Sequence, residues 1–307
     1  MRHSTRRKAA AARWGAVFFT ACMIFLAILI APPAPRPVYA VGGYALRFYG
    51  TGTNDIDRVK IPINTTDNPI NIGATDFTVE FWMKADAAAN TSGPCQNGGD
   101  NWIFGNTIVD RDIVGNGDYG DYGISLYGGR IAFGVHNGST SNTLCGSTHV
   151  ADNAWHHIAV TRRLSDGRLQ IFVDGTLDGT LDGPNGSISY RVGRATSYPN
   201  SDPYLVLGAE KHDFGTNYPS YRGLFDELRL SNTLRYSDTF TRPTEPFIAD
   251  SATVGLYHFD EGSGTIATDS ATAAGSPVNG TIRYGGASNG PTWETDTPWE
   301  VAPSATP

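Results

Sequence analysis

Four aspartates lie close together in one part of the sequence, and their side chains are of the kind that bind calcium. Asp110 and Asp112 are followed, after a glycine-rich stretch, by Asp118 and Asp121. Proteins bind Ca²⁺ through about six to eight oxygen atoms at about 2.4 Å, which flexible acidic loops can supply. We therefore expect this segment to contribute to a calcium site. A solvated acidic loop without a metal is an equally good interpretation of the same residues.

Aromatic side chains are a second feature that could bind a ligand. Exposed rings can stack on the faces of sugars, while nearby amide and carboxylate groups bond to the hydroxyls. The candidates are Trp102, Tyr198, Tyr204, Phe214 and Tyr218. Any one of these rings could equally belong to a packed interior, so only a cluster on one exposed edge would form a binding site.

Composition narrows the class of protein further. Glycine makes up 36 of the 307 residues and charged residues only 17%, which excludes a coiled coil or a helical bundle. Residues 1–40 contain six basic and no acidic residues, whereas residues 41–307 contain 17 Lys and Arg against 30 Asp and Glu. A body with this negative charge repels phosphate backbones, so we expect no nucleic-acid binding.

The N-terminal residues have the pattern of an export signal. A basic segment ends at Arg13, an apolar run covers residues 15–31, and the tripeptide VYA at 38–40 fits a signal-peptidase site. We predict a cleaved signal peptide over residues 1–40 and a secreted or cell-surface protein. The alternative is an uncleaved membrane anchor formed by residues 15–31, because this run is about as long as the shortest membrane-spanning helices.

Cleavage of this signal would leave two cysteines, Cys95 and Cys145. In an oxidising compartment an even pair predicts a disulfide, and both residues lie in Gly- and Ser-rich stretches typical of loops. A thiolate metal site or a catalytic nucleophile would need partners at short spacing, which the sequence lacks. We predict a disulfide that ties two long loops together.

The body of the chain alternates apolar and polar residues in short runs separated by turns. In residues 77–84, Phe77, Val79, Phe81 and Met83 share one face, which indicates a half-buried strand. The other predicted strands cover residues 45–48, 58–63, 102–109, 122–126, 130–135, 156–161, 169–173, 205–209, 224–230 and 254–259. No segment after the signal shows sustained helical periodicity, so these strands predict an all-β, antiparallel sandwich of two sheets.

Several segments resemble a known family. They are ALRFYG at 45–50, WHHIAVT at 155–161, GRLQIFVDG at 167–175 and GLFDELRLSN at 223–232. In this order they are similar to the laminin-G-like jelly-roll domains of the concanavalin A-like lectin and glucanase superfamily. The resemblance implies a jelly-roll sandwich, with its domain over residues 41–242.

A further segment, LGAEKHDFG at 207–215, resembles the calcium loop of pentraxins. That resemblance implies that Glu210 and Asp213 join the carboxylates of the earlier loop as calcium ligands. Asp213 is displaced by one residue from the pentraxin pattern, and Lys211 and His212 stand where ligands would be expected. A lysine at a cation site costs Coulomb energy unless its ammonium turns away. We therefore expect one Ca²⁺ ion and not a double site.

The superfamily also includes glycosidases, but the carboxylates here do not follow the glycosidase pattern. Retaining enzymes need two carboxyl groups about 5 Å apart, and the resemblance implies a Glu-x-Asp-x-x-Glu spacing along one strand. Of the seven glutamates only Glu294 has an aspartate two residues later, and the third position is Trp299. A His-Glu-x-x-His motif and a P-loop are also missing from the sequence. We predict that the protein is not an enzyme.

The pattern changes after residue 242. The segment VGLYHFDEGSG at 254–264 resembles one that follows or opens laminin-G-like units in multidomain surface proteins. It could begin a second unit, but about fifty residues are too few for an independent sandwich. We expect residues 243–300 to add an edge strand to the first domain, and residues 301–307 to be a disordered tail.

These features predict an exported, non-catalytic module that binds a glycan or a surface protein, with one Ca²⁺ ordering its loops. The alternatives are an adhesion or spacer module without a ligand of its own, and an exported glycoside-active enzyme. A binding module should present Asp110, Asp112, Glu210 and the aromatic candidates on one rim, whereas a spacer should scatter them. An enzyme should hold two carboxylates facing each other across a groove. Contact with a membrane is expected only if the N-terminal segment stays uncleaved.

Overall fold

The computed structural model describes residues 43–113 and 120–299, which fold almost entirely into β-strands. In chain order the strands are β1 Ala45–Tyr49, β2 Arg58–Pro62, β3 Phe77–Asp86, β4 Asn106–Asp110, β5 Asp121–Tyr127, β6 Arg130–His136, β7 Ser141–Cys145, β8 Asp152–Arg162, β9 Arg168–Val173, β10 Thr176–Asp182, β11 Tyr204–Leu207, β12 Arg222–Ser231, β13 Thr253–Tyr257, β14 Ile266–Ala267, β15 Gly280–Arg283 and β16 Thr292–Glu294. Two 3-10 helices, Ala87–Ala89 and Asn101–Phe104, lie between β3 and β4.

The strands form two antiparallel sheets of eight strands each. Sheet 1 has the order β10-β9-β8-β3-β12-β1-β16, and β13 pairs with the second half of β12 beside β1. Sheet 2 has the order β14-β15-β2-β11-β4-β5-β6-β7. Strands that follow one another in the chain are often neighbours in a sheet, but β3 and β12 pair at the centre of sheet 1 although they are far apart in sequence. The predicted antiparallel sandwich is confirmed.

The interior lies between the two sheets. Phe77, Val79, Phe81 and Met83 of β3 are fully buried in one apolar cluster, as the alternation in the sequence predicts. Burying an aliphatic or aromatic side chain of this size stabilises a fold by about 1.5–3 kcal/mol. The cluster contains residues from both sheets, so the sandwich has one continuous core.

The C-terminal segment covers the outer face of sheet 1. Trp82, on that face of β3, is buried in a second cluster with Phe247, Leu256 and Ala271. The segment also supplies β13 and β16 to sheet 1, and β14 and β15 to sheet 2. It therefore contributes four strands distributed over both sheets, where we expected one edge strand.

Two further features differ from the predicted strand pattern. The strand expected over residues 102–109 begins only at Asn106, because residues 101–104 form a 3-10 helix instead. The edge strands β7 and β10 were not predicted because their sequences are mostly polar and do not alternate. No helix in the described part of the chain is both long and apolar enough to cross a membrane.

A buried charge network lies beneath the C-terminal segment. Glu80 of β3 is fully buried, and its carboxylate accepts hydrogen bonds from Arg229 Nε at 2.8 Å and from the Tyr236 hydroxyl at 2.8 Å. His157 Nε2 lies 3.2 Å from the same carboxylate. Burial alone would raise the pKa of Glu80, but the hydrogen bond from His157 and the charge of Arg229 lower that pKa to about 2.

We expect the network to make the fold sensitive to acid. The folded pKa of Glu80 lies below its ordinary value of 4.5, so its stabilising effect is complete above pH 4.5 and is lost as the pH falls towards about 2. Replacing Glu80 by Gln should therefore cost about 3 kcal/mol at pH 7, and much less at pH 3. Urea unfolding at both pH values measures the difference.

A surface carboxylate provides the matched control for this experiment. Glu294 pairs with Arg47 at 3.1 Å, with both side chains more than one third exposed. Glu294→Gln should change the free energy of unfolding by less than about 1 kcal/mol at either pH. Equal effects of the two substitutions at pH 7 would contradict the assignment to Glu80.

Candidate functional site

The candidate site lies on the outward face of sheet 2. Asp110 of β4, Gly123 of β5, Gly134 of β6 and Thr143 of β7 stand opposite one another in a cross-strand row. Side chains of one row point to the same face of a sheet. The row therefore begins with the carboxylate of Asp110 and continues over two glycines, which have no side chains.

The two glycines make room for Trp102. The indole lies on Gly123 and Gly134, and a methyl group at either position would overlap its ring atoms. The 3-10 helix that carries Trp102 is fixed to the sheet from both sides. The Trp102 N–H donates to the Thr143 hydroxyl at 3.2 Å, and its carbonyl accepts from the Ser125 hydroxyl at 2.6 Å. Trp102 is 2% exposed, so it is a floor for the site and not an exposed stacking platform.

The predicted disulfide is confirmed and anchors the loop before this helix. Cys95 and Cys145 are joined with their Cα atoms 6.0 Å apart, which ties the loop to edge strand β7. Asn97 Oδ1 accepts a hydrogen bond from the Cys145 N–H at 2.7 Å, and the Gly98 N–H donates to the Thr143 carbonyl at 2.9 Å. The loop is thus held over sheet 2 by a covalent bond, by a hydrogen bond to the Asn97 side chain and by a backbone hydrogen bond.

Loop and sheet together enclose a cavity of about 510 Å³, which we call the acidic cavity. Its lining residues are Asp100, Trp102, Ile103, Thr107, Asp110, Asp112, Ile113, Asp121, His136, Glu210, Phe214 and Tyr218. Four of the six predicted calcium ligands and three of the five predicted ligand-binding aromatics line it. Residues predicted from separate stretches of the sequence therefore meet at one place.

Asp110 connects the sheet to the loop that follows β11. Its Oδ1 accepts a hydrogen bond from the Asp112 N–H at 2.7 Å, and its Oδ2 accepts one from the Lys211 N–H at 2.9 Å. Burial and the nearby carboxylate of Glu210 raise the pKa of Asp110. The carboxylate thus fixes the loop at the cavity wall through backbone groups.

Lys211 and His212, whose side chains do not suit a metal site, are both held by hydrogen bonds. The Lys211 ammonium donates to the carbonyls of Asp202 and Tyr204, at 3.1 and 2.9 Å. His212 lies between Asp202 Oδ1 and Glu210 Oε1, at 2.7 and 2.9 Å. Burial opposes the charge on His212, but these two carboxylates raise its pKa to about 9. The Lys211 ammonium is thus bonded to backbone carbonyls, although its charge still opposes the rise in the pKa of Asp110 and Asp112.

Electrostatic repulsion among the acids remains. Burial, together with the neighbouring carboxylates of Asp121 and Asp110, raises the pKa of Asp112 to about 8. Asp121 is 4% exposed, and its Oδ2 lies 3.2 Å from His136 Nδ1. Its Oδ1 is buried and has no hydrogen-bond partner among the described residues. Asp121 thus has one carboxylate oxygen that could still accept a hydrogen bond or bind a cation.

Aromatic rings form the rim of the cavity. Phe214 is 45% and Phe104 is 43% exposed. The Tyr218 ring stacks on Phe104 with centroids 5.9 Å apart and contacts Phe214 at 6.4 Å. Tyr198 packs edge-on against Phe214 at 5.7 Å. Exposed rings beside a polar cavity can stack on a ligand that enters it.

Two predicted residues lie elsewhere. The carboxylate of Asp213 pairs with Arg58 Nη2 at 2.6 Å, on the other side of the turn that carries Glu210. Tyr204 lies under the Lys60 ammonium, which is 4.6 Å from its ring centroid. Both residues line a second cavity. The remaining predicted ligand, Asp118, falls outside the described residues.

The sequence did not point to Asp100, Thr107, Phe104 or His136. Each is isolated in the sequence among residues of other types, and it reaches the site only through strand pairing or through the disulfide loop. His136 lies directly opposite Asp121 on the neighbouring strand. That pairing could have been found only with the register of β5 and β6 in hand.

The arrangement is not a preassembled metal cage. Within residues 43–113 and 120–299, no three His, Cys, Asp or Glu side chains are already grouped so as to hold a metal ion. The chemistry of the donors nevertheless fits a hard cation, since carboxylate oxygens surround the cavity and one of them is unpartnered. A bound Ca²⁺ would have to draw these carboxylates inward and complete its shell with other oxygens.

Comparison with known proteins supplies a family assignment. A laminin-G family model, described as concanavalin A-like lectin/glucanases superfamily, matches residues 57–239. No curated protein matches the chain in sequence.

Several solved structures are similar to this one. A crystal structure from Bacteroides ovatus, described as that of a candidate carbohydrate-binding protein, superposes with a TM-score of 0.52 at 18% identity and covers 85% of this chain. The match spans 62% of that protein's length. Domains LG4-5 of the mouse laminin α1 chain match with a TM-score of 0.42 at 15% identity, over 66% of this chain and 47% of that chain. A heptameric SAP-like pentraxin from Limulus polyphemus matches with a TM-score of 0.40 at 15% identity. This match covers 66% of this chain and 80% of that chain. At these identities the similarity concerns the fold alone.

Proposed function

The chain belongs to the concanavalin A-like lectin/glucanase superfamily, and on that premise we propose that it is an exported, non-catalytic module that binds a glycan at the acidic cavity with the help of Ca²⁺. The family supplies the sandwich, whereas the site must be argued from its own residues. The partner could carry its glycan on a polysaccharide or on a surface protein.

The observation that carries the proposal is the convergence on one cavity. Asp110, Asp112, Asp121 and Glu210 come from β4, β5 and the loop after β11, and they line the same space as Phe214 and Tyr218. A spacer module would have no reason to gather carboxylates and exposed rings at one place. The cavity volume of about 510 Å³ lies within the range of small-ligand sites.

Calcium is supported by the electrostatics of the cavity. The raised pKa of Asp112 results from burial beside Asp121 and Asp110, and a divalent cation would relieve that repulsion. The Lys211 ammonium donates its hydrogen bonds to two backbone carbonyls, and its charge only partly offsets the effect of burial on Asp110 and Asp112. The ion would supply a coordination shell that sugar hydroxyls can enter.

The hydrogen bonds of the acids favour binding over catalysis. Both carboxylate oxygens of Asp110 accept backbone N–H groups, from Asp112 and Lys211. Both oxygens of Glu210 also accept backbone N–H groups, from His212 and Phe214. Carboxylates engaged in this way position loops and are poorly placed to transfer protons to a substrate. We therefore expect an oligosaccharide that binds to the protein to remain unhydrolysed after incubation.

Export is supported by the disulfide and by the N-terminal sequence. A structural disulfide such as Cys95–Cys145 persists in oxidising compartments. The export signal predicted over residues 1–40 lies outside the described residues, which begin at Gly43. Secretion or display at the cell surface is therefore part of the proposal.

We expect calcium to raise the melting temperature of the protein. A ligand at about 100 times its Kd stabilises the fold by about 2.7 kcal/mol, which corresponds to roughly 5–10 °C for a domain of this size. The shift should be largely lost in Asp121→Asn, which removes the charge of the carboxylate whose Oδ1 has no hydrogen-bond partner among the described residues. Thermal melts with excess calcium and with chelator measure both effects.

The control substitution is Asp67→Asn. Asp67 is exposed and has a positive φ of 61°, a conformation that Asn adopts readily. This variant should keep the full calcium shift. No shift in the native protein, or the same shift in Asp121→Asn and Asp67→Asn, would remove calcium from the proposal.

Glycan binding itself is measured on a glycan array in calcium and in chelator. Tyr218→Ala or Phe214→Ala should weaken binding about tenfold, because a ring that stacks on the ligand is lost. Ile248→Ala removes a similarly exposed apolar side chain from the C-terminal segment and should have no effect. A native protein that binds no glycan on the array would favour the spacer alternative.

A further inference from the structure

A second cavity, of about 720 Å³, lies on the other side of the turn that follows β11. We call it the mixed-charge cavity, and its principal lining residues are Asn54, Asp55, Lys60, Tyr204, Asp213 and Arg283. Arg283 ends β15, so the cavity is completed only by the C-terminal segment. None of these residues lines the acidic cavity.

The charges in this cavity are not balanced. The Lys60 ammonium contacts Asp55 Oδ1 at 3.0 Å, and Arg283 Nη2 contacts Asp55 Oδ2 at 2.8 Å. One carboxylate is thus shared by two cations. The second carboxylate, Asp213, is neutralised separately by Arg58 at 2.6 Å. A net positive charge therefore remains beside Asp55, in a body with 30 acidic and only 17 basic residues.

Arg283 is placed to bind an additional anion. Its side chain is 47% exposed. It uses Nε to reach the Asp55 carbonyl, at 3.3 Å, and Nη2 to reach the Asp55 carboxylate. Guanidinium groups bind carboxylate and sulfate groups through two parallel N–H donors, which makes such contacts strong and directional. A singly charged anion beside Arg283 would complete the neutralisation of the two cations.

The rest of the lining suits a sugar. Tyr204 presents a ring at the cavity wall with Lys60 above it, and Asn54, Asn200 and Ser201 provide amide and hydroxyl groups. The Lys60 ammonium also donates to the Asn200 carbonyl at 2.6 Å, which fixes it at the wall. Polar groups of this kind bond to hydroxyls, and the cations select among ligands by charge.

We propose that the mixed-charge cavity is a second binding site, and that it takes a sugar residue bearing one anionic group, a carboxylate or a sulfate. The anion pairs with Arg283 and Lys60, and the sugar hydroxyls contact the amides around Tyr204. This site requires no metal ion, since its charges already favour an anion. It is independent of the function proposed for the acidic cavity.

Two substitutions with opposite effects test the proposal. Arg283→Gln removes the paired donor and should weaken binding of methyl glucuronide, a carboxylate-bearing sugar, at least tenfold. Asp55→Asn removes the carboxylate that competes with the ligand and should strengthen binding about threefold or more. Asn can keep the positive φ of 58° that Asp55 adopts. Binding is measured by NMR titration of the whole protein.

The sugars used as probes distinguish the anionic groups. A sulfated methyl glucoside tests sulfate, and neutral methyl glucoside should bind at least tenfold more weakly than the better of the two anions. Binding of either anion that Arg283→Gln weakens and Asp55→Asn strengthens supports the site and identifies the group. Added salt should weaken it, because the contact is ionic.

Three results would overturn the proposal. They are equal binding of the neutral glucoside, weaker binding in both variants, and no detectable binding of any probe. Both variants should retain the calcium shift and the array binding of the native protein. Asp121→Asn should lose the calcium shift and Tyr218→Ala should weaken array binding, while both keep their binding of methyl glucuronide. This result would separate the two sites experimentally.

Discussion

Removal of the disulfide by the double substitution Cys95→Ser and Cys145→Ser is expected to lower the free energy of unfolding by about 4 kcal/mol. The bond closes a loop with a sequence separation of 50 residues. When this loop is opened, the unfolded chain gains conformational entropy that lowers its free energy by about 4 kcal/mol. Urea unfolding of the two proteins measures the difference.

The disulfide should also matter to the site. The loop that it anchors carries Asp100 and Trp102 at the wall of the acidic cavity. We therefore expect glycan affinity to fall in the double variant even under conditions where it is folded. Addition of a reductant should destabilise the native protein and leave the variant unchanged. A variant within about 1 kcal/mol of the native protein would show that the loop is held by its hydrogen bonds alone.

Trp102→Ala is expected to cost about 3–5 kcal/mol. The indole is buried on a row of two glycines, and its loss would leave a space that the sheet backbone cannot fill. Gly134→Ala should cost about 1–3 kcal/mol for the opposite reason, since a methyl group there overlaps the ring. Chemical unfolding of each variant gives these values.

A double-mutant cycle tests whether the two effects have the same origin. When Trp102 is already Ala, the methyl group of Gly134→Ala meets an empty space, so its cost should largely disappear. The comparison also controls for the backbone effect of replacing glycine, which is present in both backgrounds. Additive costs in the double variant would contradict the contact between the indole and the glycine.

Local periodicity was enough to predict the sandwich. Phe77, Val79, Phe81 and Met83 alternate in the sequence and all enter the core, because a strand directs alternate side chains to one face. The disulfide could also be predicted, since only two cysteines follow the signal. These features depend on residue type and near neighbours, which a sequence displays directly.

The position of Trp102 could not be predicted in the same way. The sequence predicts a strand over residues 102–109, yet Trp102 belongs to a 3-10 helix and its indole covers part of the outer face of sheet 2. That packing depends on Gly123 and Gly134, which come from two later strands. The absence of a side chain is informative only when the register of the sheet is known.

The predicted acidic residues lie at two different places for a related reason. Asp110 and Glu210 meet because β4 pairs with β11 in sheet 2, and because the loop after β11 is bonded to Asp110 through the Lys211 N–H. Asp213 is three residues beyond Glu210, but the buried guanidinium of Arg58 holds it on the other side of the turn. The resemblance to a calcium loop could not predict the positions of Glu210 and Asp213, because both depend on residues outside the loop.

We propose that a glycan binds in the acidic cavity on the outward face of sheet 2. The most direct measurement is NMR chemical-shift mapping with the best glycan from the array, in the presence of calcium. We expect the largest shifts at the Trp102 indole N–H and at the backbone amides of His136, Phe214 and Tyr218. Shifts confined to sheet 1, for example at Ile158 and Ile171, would contradict it.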